Sequence, residues 1–426
     1  MRCRLICVVV WTAGIIGVML AGASVAGLSA AGEPVNECLR CHAGLADSRL
    51  SAPAVAFRDD VHGQRGFTCV ECHGGDPAAA DKVKAKSPSA GFRGVPRGQG
   101  QIQACARCHG DAAVMRTFAP KQRVDQAVEY AASGHGKRLA TGDTRVATCA
   151  SCHGAHGIRA VSDVKSPVYP TNVAATCASC HADAGHMKRP DGSSLPTTQR
   201  ADYEKSVHFS AMTAQHDLSA PTCNDCHGNH GAMPPGVSAI TNVCGTCHAV
   251  FSTKFSASPH APIFEKACVE CHGNHAVGKP SDAMIGTEKT ALCSTCHADA
   301  DDPGKIGAGK MRAGIDRLKS EIARASGLIE RVKTAGMEVT DQELALGEAR
   351  GQLIRVRTEI HSFNPALVEP VVQEGLTIVA GVDRAGQGAL SELRFRRWGL
   401  ALSLGVMLIV VLALALKIRE VDRRSG

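Results

Sequence analysis

The clearest hydrophobic rhythm lies in the C-terminal third of the chain. Apolar residues fall at Met311, Ile315, Leu318, Ile322, Ala325, Ile329 and Val332, in alternating steps of four and three. That spacing holds one stripe on one helix face and predicts a helix with a heptad seam. Thr340-Asp-Gln-Glu343 reads as a capping box opening a second helix. Its seam is Leu346, Ala349, Leu353, Val356, Ile360 and Phe363, ending at Asn364-Pro365. A third, weaker helical stretch begins near Ala366. The expectation is a helical hairpin or three-helix bundle over 306–390, packed on the preceding domain or self-associating. His361 lies inside it and is read as structural.

Two uncharged apolar stretches stand at the ends. Trp398–Leu416 is nineteen residues without a charge, long enough to span a bilayer. Trp398 suits one interface, and Lys417, Arg419, Arg423 and Arg424 suit the cytoplasmic one, making 417–426 a cytoplasmic tail. Arg394, Arg396 and Arg397 on the other side weaken the charge argument, so export of the preceding domain sets the orientation. At the N-terminus, Arg2 and Arg4 precede an uncharged run to Gly32 with small residues at Ala21-Gly22-Ala23. Residues 1–32 therefore read as a secretory signal peptide, or as an uncleaved anchor because the apolar run is long.

Between them, residues 33–305 lack such a rhythm. Over the whole chain only 4% of residues are aromatic and 44 are glycine, a poor recipe for a large side-chain core. The formal charge of +7 is modest and spread out, giving no reason to infer a nucleic-acid partner. The basic, Gly/Pro-rich stretch from Lys82 to Arg107 reads as a solvated connection.

Cysteine usage explains what fills this domain. Leaving aside Cys3 and Cys7 in the leader, all eighteen cysteines fall into nine Cys-Xaa-Xaa-Cys-His motifs. The pairs are Cys38 and Cys41, Cys69 and Cys72, Cys105 and Cys108, Cys149 and Cys152, and Cys177 and Cys180. The series continues with Cys223 and Cys226, Cys244 and Cys247, Cys268 and Cys271, and Cys293 and Cys296. Each pair suits thioether attachment to one haem, and the next histidine suits the proximal face of its iron. Those histidines are His42, His73, His109, His153, His181, His227, His248, His272 and His297. A zinc ribbon needs no histidine after every second cysteine, and a disulfide scaffold has no reason to repeat a two-residue gap nine times. The expected cofactors are nine covalently bound haem c groups, whose propionates would add roughly two negative charges each.

Nine further histidines remain besides His361, enough for bis-histidine ligation throughout. Three follow a motif as His-Gly-Xaa-His: His156, His230 and His275. Each is too close to reach over its own haem and is expected to cap a neighbouring one. Four lie upstream with an aromatic residue five positions earlier: His62 after Phe57, His135 after Tyr130, His208 after Tyr203 and His260 after Phe255. Ser133, Ser206 and Ser258 stand two residues before the histidine, with Asp60 as the variant. An internal repeat emerges: aromatic, histidine, motif with a histidine at +3, second motif. It occurs four times after the Cys38 motif. Asp76 replaces the +3 histidine in the first copy, leaving His186 and His216 as further distal candidates. Met187, Met212 and Met233 are alternatives.

These motifs and the doubled repeat resemble the periplasmic multihaem c-type cytochromes over about residues 33–300. The resemblance implies one covalent haem per motif, close haem packing as an electron wire, and little regular secondary structure. The expected fold is mainly α and irregular: a haem-packed domain, the helical bundle, and a C-terminal transmembrane helix. The expected function is electron transfer between a membrane quinol-linked or other redox partner and a soluble periplasmic redox protein, from the bacterial inner membrane, with the haem domain in the periplasm. No residue is assigned as catalytic. The alternative is an oxidoreductase acting on a nitrogen or sulfur oxyanion at one open haem. Nitrite-reducing relatives usually replace a motif histidine by lysine, and no such replacement occurs here.

Overall fold

The computed structural model describes residues 36–189, 192–236 and 239–425. The leader reading at 1–32 lies outside them. The chain divides into two compact units, one ending at Arg58 and resuming over His62–Pro96, the other combining Asp59–Val61 with Arg97 onward. Among the described residues there is no strand, only an isolated bridge between Lys188 and Ser194.

The first unit is built on short helices, Glu37–Ala43, Ser48–Ala56 and Cys69–His73. Residues 82–94 do not form the bare connection expected of them. Gly75 and Asp76 donate to the Ala90 and Ala85 carbonyls, and Arg93 donates back to the His73 carbonyl at 2.7 Å. Unpaired backbone beside a motif would be costly, so the loop folds over it.

In the second unit, everything before residue 303 is short helices and turns; the longest helix, Pro170–His181, has twelve residues. Three long helices follow: α1 (Pro303–Thr334), α2 (Thr340–Glu359) and α3 (Pro365–Ser425). The seam read in α1 is buried throughout, and Leu346, Ala349, Leu353 and Val356 of α2 pack against it. The third face is Val368, Val372, Gly375, Val379, Val382 and Gly386, a heptad whose glycines hid it from the sequence reading. A Cβ on Gly375 would lie 2.8 Å from Leu318 Cδ1, and one on Gly386 2.9 Å from Leu328 Cδ2. The missing side chains are what let α3 approach α1.

Two local expectations fail. Thr340 does not open a capping box, because its N–H and hydroxyl both bond the Glu338 carboxylate, while Glu343 pairs with Lys333 at 2.7 Å. The third helix is also far from weak: it continues without a break to Ser425. Its Trp398–Leu416 segment is exposed, and by length and composition the helix is able to cross a membrane.

Polar ties hold the bundle to the motif-bearing segments of the same unit. Arg357 grips Asp282 at 2.8 and 2.9 Å, Lys319 reaches the same carboxylate at 3.2 Å, and Lys254 pairs with Glu359 at 2.8 Å.

Candidate haem-ligand array

The motifs adopt two local forms. Cys69–His73, Cys149–His153 and Cys223–His227 are five-residue helices opened by Thr68, Thr148 and Thr222 in capping boxes. Each ends on a glycine at φ between 67° and 85° with nearly extended ψ (Gly74, Gly154, Gly228), a region essentially reserved for glycine. The His-Gly pair thus turns the chain sharply away from the motif, which aims the following residues elsewhere. By contrast, Cys105–His109 and Cys177–His181 close the longer helices Gln99–His109 and Pro170–His181.

The upstream signature has a structural cause. Ser133 and Ser206 are the N-caps of Gly134–Ala140 and Val207–Ala214, accepting from Gly136 N at 2.9 Å and Phe209 N at 3.1 Å. Their histidines therefore occupy the second helical position, with the ring direction fixed by the cap. Ser258 accepts from His260 N at 3.3 Å, and Asp60 substitutes by accepting from Ile158 N at 2.8 Å. All four side chains are buried. The tyrosines anchor the next motif: Tyr130 and Tyr203 donate to the Ala147 and Pro221 carbonyls, two residues before Cys149 and Cys223.

Successive repeats join in one register. The N–H before each upstream histidine donates to the carbonyl two residues beyond the next repeat's +3 histidine. The three bonds are Val61 to Ile158 at 2.8 Å, Gly134 to Ala232 at 3.0 Å and Val207 to Val277 at 2.9 Å. This stacking brings the first-motif histidine of one repeat to the +3 histidine of the next, while each upstream histidine meets the second-motif histidine of its own repeat.

The following six pairs lie among the described residues. Ring centroids are 6.1 Å apart for His135–His181, His153–His230 and His260–His297, 6.3 Å for His208–His248, 6.0 Å for His227–His275 and 6.2 Å for His272–His361. Two metal–imidazole bonds of about 2 Å plus two ring radii of roughly 1.1 Å separate centroids by roughly 6 Å. The spacing is that of two imidazoles on opposite faces of one iron, too wide for direct ring stacking contact. The residues therefore fit the group.

The outer nitrogens support the same reading. Nδ1 contacts a carbonyl or carboxylate at His42 (Leu50 O, 3.1 Å), His73 (Gly94 O, 2.7 Å), His227 (Met233 O, 3.2 Å), His297 (Asp302, 2.9 Å) and His361 (Thr358 O, 3.2 Å). Such acceptors hold the proton on Nδ1 and leave Nε2 for a metal. Burial, reinforced by neighbouring imidazoles, lowers the pKa of His135, His153, His181, His208, His260 and His272. That keeps the rings neutral, the form that binds metal.

The cysteines give the order of the sites. The thiols of Cys105 and Cys149, of Cys177 and Cys223, and of Cys244 and Cys268 lie beside one another. On the second cysteines, Cys152 neighbours Cys180, Cys226 neighbours Cys247, and Cys271 neighbours Cys293 and Cys296. Motifs from Cys105 onward thus adjoin in sequence order, alternately through first and second cysteines. In the first unit, Cys38 neighbours Cys69.

Cys41 and Cys72 are exposed and Cys108 is half-buried. Each lies in the helix that carries its motif histidine, Glu37–Ala43 for Cys41, Cys69–His73 for Cys72 and Gln99–His109 for Cys108. Expected attachment at Cys41, Cys72 and Cys108 rests on the motif spacing. No disulfide joins any of the eighteen motif cysteines, as thioether attachment requires.

Two distal candidates, His186 and His216, fall outside these pairs. His186 lies in the short helix Ala184–Met187, and His216 is exposed at φ 56°; among the described residues, neither ring faces a motif histidine at ligand spacing. His62 meets Phe67 edge-on at 6.0 Å, and His156 follows the Gly154 turn. His361, read as structural, instead faces His272. The sequence lacked a signal for it because it stands 89 residues downstream, outside the repeat.

A family model described as the doubled CXXCH motif matches residues 260–302. The multiheme cytochrome MtrA of Shewanella baltica (strain OS185) is 28% identical over 275 residues, 62% of this chain and 66% of that relative. The chain thus matches just under two thirds of its relative's length. No solved structure matches. With its paired motifs, facing imidazoles and related sequence, the chain is similar to the multihaem c-type cytochromes, and its residues fit covalent haem c.

Proposed function

We propose that this protein conducts electrons through nine c-haems, held above the bacterial inner membrane by the C-terminal helix, with the haem domain in the periplasm. The observation that carries this reading is the set of six histidine pairs at 6.0–6.3 Å. An iron held on both faces has no place for substrate but exchanges electrons with little rearrangement. When bound, haem supplies the redox centre. The chain fixes both axial nitrogens, buries the rings and sets the sequence of sites.

All nine cysteine pairs are attachment sites, with Cys41, Cys72 and Cys108 completing those begun by Cys38, Cys69 and Cys105. The motif histidines are the proximal ligands, His42, His73 and His109 included. His135, His208 and His260 cap the haems of His181, His248 and His297. His230 and His275 cap those of His153 and His227, and His62 and His156 are further distal ligands.

The anchor is assigned to Trp398–Leu416. The 33 residues of α3 from Pro365 to Arg397 rise roughly 50 Å at about 1.5 Å each. The turn bearing His361 therefore stands well clear of the bilayer. Its electron donor or acceptor on the membrane side is a protein that projects into the periplasm, and the other partner is a soluble redox protein.

The test is rapid mixing of the reduced full-length holoprotein with an oxidised soluble cytochrome and, separately, with nitrogen and sulfur oxyanions. Fast reoxidation by the cytochrome, unaffected by cyanide, is expected. Catalytic turnover of an oxyanion, abolished by cyanide, would instead establish the oxidoreductase alternative. Intact mass should show nine haem increments; a smaller number would refute the count.

A further inference from the structure

Within the repeat array, the first-motif histidine of one repeat faces the +3 histidine of the next. His153 faces His230 with rings 14° from parallel, and His227 faces His275 at the same 14°. The last repeat has no successor, so this rule leaves His272 without a partner. His361 takes that place. Its ring lies 6.2 Å from His272 at 15°, the same separation and the same near-parallel attitude.

The bundle is built to hold it there. After Glu359, α2 tightens into the turn Ile360–Ser362, which carries the imidazole out of the heptad seam. The Thr358 carbonyl accepts from Nδ1 at 3.2 Å, directing Nε2 toward His272. Phe251 packs edge-on against the ring at 5.0 Å. Phe363 then adopts φ 51°, a conformation uncommon outside glycine, and lies 4.1 Å from the His260 ring. The turn is pinned on both sides, by Lys254 to Glu359 and by Arg357 to Asp282.

We propose that His361 is the axial ligand opposite His272 for the haem attached at Cys268 and Cys271. The helical bundle thereby caps the array, supplying the ligand that a further repeat would have provided. Repeat arrays need a terminal cap because each unit completes its neighbour. This inference rests on the bis-histidine reading above.

The full-length holoprotein and its His361→Ala variant are compared by intact mass and by integrated EPR of the oxidised form. Thioether attachment does not involve His361, so the haem count is expected to stay the same. One low-spin haem should become high-spin, and added imidazole should restore it. Were the wild type to lack low-spin haems altogether, the bis-histidine reading itself would fall. A low-spin wild type with an unchanged His361→Ala spectrum would overturn only the assignment of His361. Should the alanine variant not accumulate, His361→Met keeps a ligand at the site. A single redox component should then move to higher potential; an unaltered redox titration would count against the proposal.

Discussion

Gly304 has no room for a side chain, because a Cβ there would run into the His297 imidazole. The same ring is tied to Asp302, which also N-caps α1 through Gly304 N at 2.6 Å and Lys305 N at 3.3 Å. Helix start and proposed haem ligand are one construction. Gly304→Ala should destabilise the protein by about 1–3 kcal/mol, as overpacking does, and should alter one low-spin EPR species. An unperturbed spectrum would separate the ring from the helix start. Ser133→Ala removes the cap beneath His135 and should cost about 1 kcal/mol in denaturant unfolding. Both the serine and the aromatic were legible as repeated letters, since a repeat is visible in one dimension. Their roles were not. A hydrogen bond from Tyr203 to the Pro221 carbonyl depends on how the chain turns between them.

At the scale of elements, heptad spacing revealed α1 and most of α2 because their seams are large aliphatic residues. The α3 face was obscured because two of its six positions are glycine, which hydrophobic spacing does not register. Gly375→Ala would push a Cβ to 2.8–2.9 Å from Leu318, at an expected cost of about 1–3 kcal/mol. Gly381, on the same helix, has open space around it, and Gly381→Ala should stabilise by up to about 1 kcal/mol. Equal effects in thermal unfolding would argue against close packing at Gly375. The docking of the bundle also carries a pH dependence. Arg357 first, then Lys319, holds the Asp282 pKa below the usual carboxylate value, against the effect of burial. A depressed folded-state pKa contributes stability above the unfolded pKa of about 3.9 and loses it as pH falls through the folded value. Hydrogen exchange around 282–287 and 357–363 should therefore rise below about pH 4. Asp282→Asn should show the faster exchange already at neutral pH. Equal protection in both proteins would remove Asp282 from the docking contact.

For the whole molecule, the nine motifs announced the cofactor because thioether chemistry demands fixed local spacing. The pairing of distal histidines was beyond the sequence because the members of each pair stand far apart in the chain, across successive repeats for His153–His230 and His227–His275, and His361 lies outside the repeat entirely. The pairs, rather than the motifs, are what distinguish an electron conductor from an enzyme with an open iron. The direct measurement is an EPR spectrum of the oxidised full-length holoprotein, with low-spin and high-spin ferric signals integrated against total haem. The account predicts low-spin intensity for at least six haems, one for each histidine pair. Fewer than six would mean that facing imidazoles do not share an iron, and would contradict it.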